Sequence, residues 1–87
     1  VVDGGVAGQT TQAIANMKTL LAAHGAALAD VVKTTCFLTD MDTFATFNEA
    51  YVAGFEGSRP ARSTVGISSL FGGAVVEIEA WAYKPLG

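Results

Sequence analysis

Arg62 is the residue in this sequence whose type and setting most suggest chemistry. It is a lone cation within a short β-branched stretch, followed by Ser63 and Thr64. A guanidinium on a rigid element presents a planar fork that matches a carboxylate, although from spacing alone a surface or interface ion pair is its commoner role. Glu77 and Glu79 raise a similar choice. At i and i+2 of a strand they share one face with Cα atoms about 6.6–6.8 Å apart, where they can act as acid or base or simply be solvated, the commoner case. Asn48 falls on the apolar stripe of a helical segment, where its amide needs a partner or points into a ligand site. Tyr51, about one turn later, reads most simply as a core or interface aromatic. A Cys36/His24 nucleophile pair is the weaker idea. Cys36 alternates within an apolar strand as a small core residue does, and His24 beside Gly25 suits a helix C-terminus. One His and one Cys make no metal motif, and Gly72-Gly73 lies between strands and opens no helix, so it is no phosphate loop.

The elements that must position these groups can be read from periodicity. Ile14, Met17 and Leu21, flanked by Ala13 and Leu20, recur at three and four and predict an amphipathic helix over 6–24, stopped by Gly25. Its start is blurred by Asp3, Gly4, Gly5 and Gly8. Residues 31–38 are rich in β-branched and aromatic side chains and predict a strand with Val32, Thr34, Cys36 and Leu38 on one face. Thr39 to Asp42 supply helix-capping residues, and Phe44, Asn48, Tyr51 and Phe55 follow on a second helix whose apolar face Phe47 widens. Gly57-Ser58-Arg59-Pro60 ends it. Residues 61–69 predict a strand with Arg62 and Thr64 on one side and Val65 and Ile67 on the other. After a turn at Phe71-Gly72-Gly73, residues 74–83 predict a last strand, with Glu77, Glu79, Trp81 and Tyr83 opposite Val76, Ile78, Ala80 and Ala82. Lys84 to Gly87 form a tail. Helix, strand, helix, strand, strand packs most simply as an α+β sandwich, a small sheet with both helices on one face.

Eighty-seven residues with 51% hydrophobic and 15% charged side chains fit one domain. The net charge of −3 and a pI near 4.8 go with basic residues scattered at Lys18, Lys33, Arg59, Arg62 and Lys84. That pattern lacks the basic stripe of a nucleic-acid surface but leaves small anionic ligands open. A mean hydropathy of +0.41 in so short a chain implies that some apolar surface enters a subunit interface. The apolar runs are too short for a membrane helix, Val1 to Gly5 resemble no secretory leader, and the single cysteine fits a reducing, cytoplasmic setting.

Five segments together resemble one family. Gln9-Thr10-Thr11-Gln12, Asp30 to Thr35, Phe44 to Tyr51, Pro60-Ala61-Arg62-Ser63-Thr64-Val65 and Val76-Glu77-Ile78-Glu79-Ala80 occur in the order found in the RidA/YjgF family of reactive-intermediate deaminases. The resemblance covers nearly the whole chain, 1–87. It implies a chorismate-mutase-like α+β fold, a homotrimer with ligand clefts between subunits, and hydrolysis of 2-imino and enamine acids to 2-oxo acids and ammonia without a cofactor. By position, Arg62 resembles the arginine that grips the substrate carboxylate and Glu77 the glutamate that positions or activates the attacking water. Asn48 and Thr64 match further cleft positions, which leaves Glu79 as a structural residue. Relative to the family, the pair of strands before the first helix has no counterpart, the loop between Tyr51 and Arg62 is short, and Phe71 stands where a proline is frequent. A non-catalytic, carboxylate-binding regulatory trimer is the alternative, and ribonuclease or translation inhibition is disfavoured by the charge.

Overall fold

The computed structural model describes residues 5–84. The chain start at Val1, Asp3 as a helix cap and Pro85 to Gly87 of the tail lie outside them. Within this span run α1 (Gly5–Ala23), β1 (Val31–Leu38), α2 (Phe44–Gly54), β2 (Ala61–Gly66) and β3 (Val76–Ala82). The predicted α+β arrangement is present, as a three-stranded sheet in the order β2-β1-β3 with both helices on one face.

Helix α1 ends where its sequence says it should. Gly25, at φ +75°, takes the left-handed conformation that lets its N–H reach the carbonyl of Ala22 while the Ala26 N–H reaches Leu21, a Schellman cap. Asp40 caps the single 3₁₀ turn Met41–Thr43 that leads into α2, its carboxylate accepting from the Asp42 N–H at 2.9 Å. Strands β1 and β2 are parallel, with Thr34 opposite Arg62 and Cys36 opposite Thr64. A parallel pair needs a crossover, and α2 supplies it. Strand β3 runs antiparallel on the other side of β1, pairing Cys36 with Ile78 and Phe37 with Glu77.

Two expectations need correction. Val32 is exposed while Val31 is buried, because the β1–β3 register slips between Val31 and Lys33 and one added residue shifts the face presented at the strand's start. The last two strands are shorter than predicted, with β2 ending at Gly66 and β3 confined to 76–82. The turn expected at Phe71–Gly73 is present as a 3₁₀ turn, in a connection that passes from one edge strand to the other, with β1 between them.

The core lies between sheet and helices. Ile14 of α1, Phe47, Tyr51 and Phe55 around α2, Cys36 and Leu38 of β1 and Val76 of β3 form one buried cluster. Phe47, expected at the margin of the α2 stripe, is at its centre and fully buried, while Phe44 and Asn48 sit half-buried at its shoulder. One polar bond also ties α1 to the segment entering β3: the Gln9 Oε1 accepts from the Val75 N–H at 2.8 Å. Within α1, buried Thr10 donates to the Val6 carbonyl at 2.6 Å.

Candidate active site

The helix side of β2 is where Arg62 emerges, under α2. Its Nη1 donates to the Asn48 Oδ1 at 2.7 Å, and its guanidinium carbon lies 4.7 Å from the ring centre of Tyr51, 5.4 Å from Phe44 and 5.7 Å from Phe47. Three aromatic faces and one amide therefore fix the fork without neutralising it. No carboxylate pairs with Arg62 among the described residues. A guanidinium has five N–H donors, so most remain free for an anion.

The platform is itself held from below. Tyr51 and Thr34 share a hydrogen bond between their hydroxyl oxygens at 2.8 Å in the core, and the Cys36 Sγ lies 4.0 Å from the same Thr34 oxygen. Burial pushes the Cys36 thiol pKa up, with the Thr34 hydroxyl and the Arg62 charge acting against it. Burial raises the Tyr51 phenol as well, again opposed first by Thr34. Cys36 thus sits as a buried, protonated thiol while His24 is exposed at the end of α1, in accord with core and terminus roles.

Arg62, Asn48 and Tyr51 open onto a cleft of about 450 Å³, completed by Val52 and the loop residues Gly57, Ser58, Arg59 and Pro60. This is a small-molecule volume, within the roughly 300–1,000 Å³ usual for such sites. Asn48 and Arg62 therefore share one cleft. Thr64 lies two residues along on the same face, next to Cys36, with its Oγ1 buried and unpartnered among the described residues; it does not line the cleft. Glu77 is elsewhere. With Glu79 it is exposed on the sheet face turned away from the helices, opposite Phe37 and Thr35 of β1. One chain accordingly brings Arg62 and Asn48 together and keeps Glu77 on the far side of the sheet. Sequence reading missed the aromatic platform, the Tyr51–Thr34 bond and the contribution of Ser58 and Arg59. The i, i+3, i+7 spacing of Phe44, Phe47 and Tyr51 was the available signal, because it puts three rings on one helix face.

The family model for Endoribonuclease L-PSP, which describes the RidA/YjgF proteins, matches residues 1–84. The chain belongs to this family. The RidA/YjgF match extends to individual relatives. A RutC family protein of Pyrococcus horikoshii is 45% identical over 84 residues, covering 97% of this chain and 67% of its own. The 2-iminobutanoate/2-iminopropanoate deaminase of Mus musculus is also 45% identical over 84 residues, covering 97% and 62%. Among solved structures, the YjgF gene product of E. coli superposes with a TM-score of 0.91 at 39% identity, covering 98% of this chain and 69% of that one. The chain thus spans about two thirds of the length of these RidA/YjgF relatives. The fold they share is the α+β sheet-and-helices arrangement described above. No helix among the described residues is long and apolar enough to cross a membrane, and none of their His, Cys, Asp or Glu side chains cluster as a metal site would require.

Proposed function

We propose that this protein hydrolyses 2-imino acids and their enamine tautomers to 2-oxo acids and ammonia. The observation that carries the reading is Arg62, a charged fork held by Asn48 and stacked aromatics at a cleft lined, among the described residues, by no acidic side chain. A 2-imino acid has a carboxylate next to its reacting carbon. Clamping that carboxylate in a bidentate pair holds the imine carbon in one place, and orientation alone lowers the barrier of the following step. Water then adds to the C=N carbon, the nitrogen takes up protons, and the carbinolamine expels ammonia to leave the 2-oxo acid. The imine carbon is already electrophilic, so the reaction calls on no cofactor. Relatives named as 2-iminobutanoate/2-iminopropanoate deaminases support the assignment.

In this reading Glu77 assists the attacking water, for which a general base typically contributes about 10²–10⁴-fold. Its place on the opposite sheet face supports a reading in which the glutamate serving an Arg62 cleft comes from another copy of the chain. A homotrimer with clefts between subunits, in a cytoplasmic setting, provides that arrangement; Asn48 stands on the substrate side, and Thr64, outside the cleft lining of a single chain, joins it only in such an assembly. The test is release of ammonia and 2-oxo acid from freshly generated 2-aminoacrylate. Arg62→Ala is expected to lower turnover at least about 100-fold, on the scale of removing a charge-assisted clamp. Unchanged turnover in Arg62→Ala overturns the assignment. Binding of 2-oxo acids with no turnover by the wild-type protein replaces it with a carboxylate-binding regulatory trimer.

A further inference from the structure

Arg62 is not the only cation at the cleft. Arg59 lines it as well, three residues earlier at the mouth of β2, and among the described residues it has neither a carboxylate nor a hydrogen-bond partner. Two of the five basic side chains in a chain of net charge −3 therefore converge on one cleft that, among the described residues, no Asp or Glu of the same chain lines. The acid nearest in sequence, Glu56, is already engaged, its Oε2 2.6 Å from the Lys18 Nζ. That ion pair anchors one side of the Arg59 loop. Pro60 restrains the other, since its ring restricts the residue before it to extended conformations. Ser58, on the same loop, adds a hydroxyl.

Two like charges with no counter-charge from their own chain cost energy in the empty cleft and are offset by a ligand that is itself anionic at two places. We infer that the cleft takes a dicarboxylic ligand, its 1-carboxylate on Arg62 and its side-chain carboxylate on Arg59, so that the preferred substrate is the imine of a dicarboxylic amino acid. The inference rests on the reading of this cleft as the imine-binding site. Arg59 is then a specificity-determining residue: it selects among imino acids by their side chains and leaves the reacting carbon to the groups around Arg62.

Two measurements on the purified protein test it. The first compares binding of 2-oxoglutarate with that of 2-oxobutanoate by titration calorimetry. The second compares kcat/KM for imines generated in place by an amino-acid oxidase from glutamate or aspartate with those from alanine or 2-aminobutyrate. The dicarboxylates are expected to be favoured by about tenfold to a hundredfold, the range a charge-assisted contact supports. Arg59→Gln is expected to remove that preference. Lys33→Gln, which deletes a cation bonded to Ser63 on the opposite sheet face, is expected to keep it. Equal affinity for both acids in the wild type, or an unchanged ratio in Arg59→Gln, overturns the inference. The two readings fail separately. Dicarboxylate preference lost in Arg59→Gln with no imine turned over leaves this inference standing and removes the deaminase. Turnover of monocarboxylic imines with no dicarboxylate preference does the reverse.

Discussion

At the scale of single residues, the protein holds a permanent cation above a pair of groups that resist ionisation. The Cys36 thiol and the Tyr51 phenol both have pKa values raised by burial. The folded chain therefore keeps these protons at pH values where the unfolded chain has lost them. Their stabilising contribution is full below the unfolded values, about 8.5 for a thiol and about 10 for a phenol, and is lost as pH rises from there through the folded values. The urea midpoint is expected to fall as pH climbs above about 8.5. In Cys36→Ala the decline is expected to begin later, nearer the tyrosine range of about 10, although the variant starts from lower stability because it leaves a small cavity. An alkaline limb of the same onset in both proteins would show that Cys36 does not carry it. The ring faces around Arg62 gain from the same arrangement, because a neutral phenol 4.7 Å from the guanidinium carbon interacts as a π-face and not as a counter-ion.

At the scale of elements, Gly54 of α2 packs directly against Ile14 of α1 with no room for a side chain. A methyl group built there would lie 2.8 Å from the Ile14 Cδ1 and 3.3 Å from its Cγ2, and Ile14 is 1% exposed. The β-branch of Ile14 leaves it little rotamer freedom to yield. Gly54→Ala is expected to cost about 1–2 kcal/mol net, the overpacking penalty less a small gain in helix propensity. The readout is a lower urea midpoint, and adding Ile14→Val is expected to recover part of the loss. None of this was visible in the sequence, where Gly54 is merely the last residue of an apolar helix. What the sequence did display were features carried by local periodicity. The Gly25 stop, the Asp40 cap and the inward set Thr34, Cys36 and Leu38 depend on residues only a few positions apart. The exposed Val32 depends instead on how β1 is paired to a strand more than forty residues away, and no pattern within 31–38 encodes that slip. The site divides along the same line. Arg62 and Asn48 could each be singled out, but their 2.7 Å bond follows from the parallel β1–β2 pairing that tucks β2 beneath the crossover helix. Glu77 and Arg62 fall on opposite sheet faces for a related reason: β3 pairs with β1 so that Ile78 faces the helices and its neighbours in sequence face away.

At the scale of the whole molecule, one sheet face is covered by helices and the other carries Trp81, 51% exposed, and Val65, 42% exposed, beside Glu77 and Glu79. Apolar side chains of this size beside carboxylates suit contact with further protein, in keeping with the proposed assembly of copies. The division of Arg62 and Glu77 between the two faces then has a genetic consequence. Two defective alleles, one encoding Arg62→Ala and the other Glu77→Gln, are each expected to be inactive alone, yet they complement when expressed together. In a randomly mixed ring of such subunits, roughly a quarter of the clefts receive an intact arginine from one parent and an intact glutamate from the other. Purified variants dissociated and reassembled together should regain about that fraction of wild-type turnover. Recovery indistinguishable from zero would place both residues of each working site on one chain, against the sheet geometry. If the unit of function is a seam between copies, as proposed, the inheritance of such a trait would look like two genes although there is one.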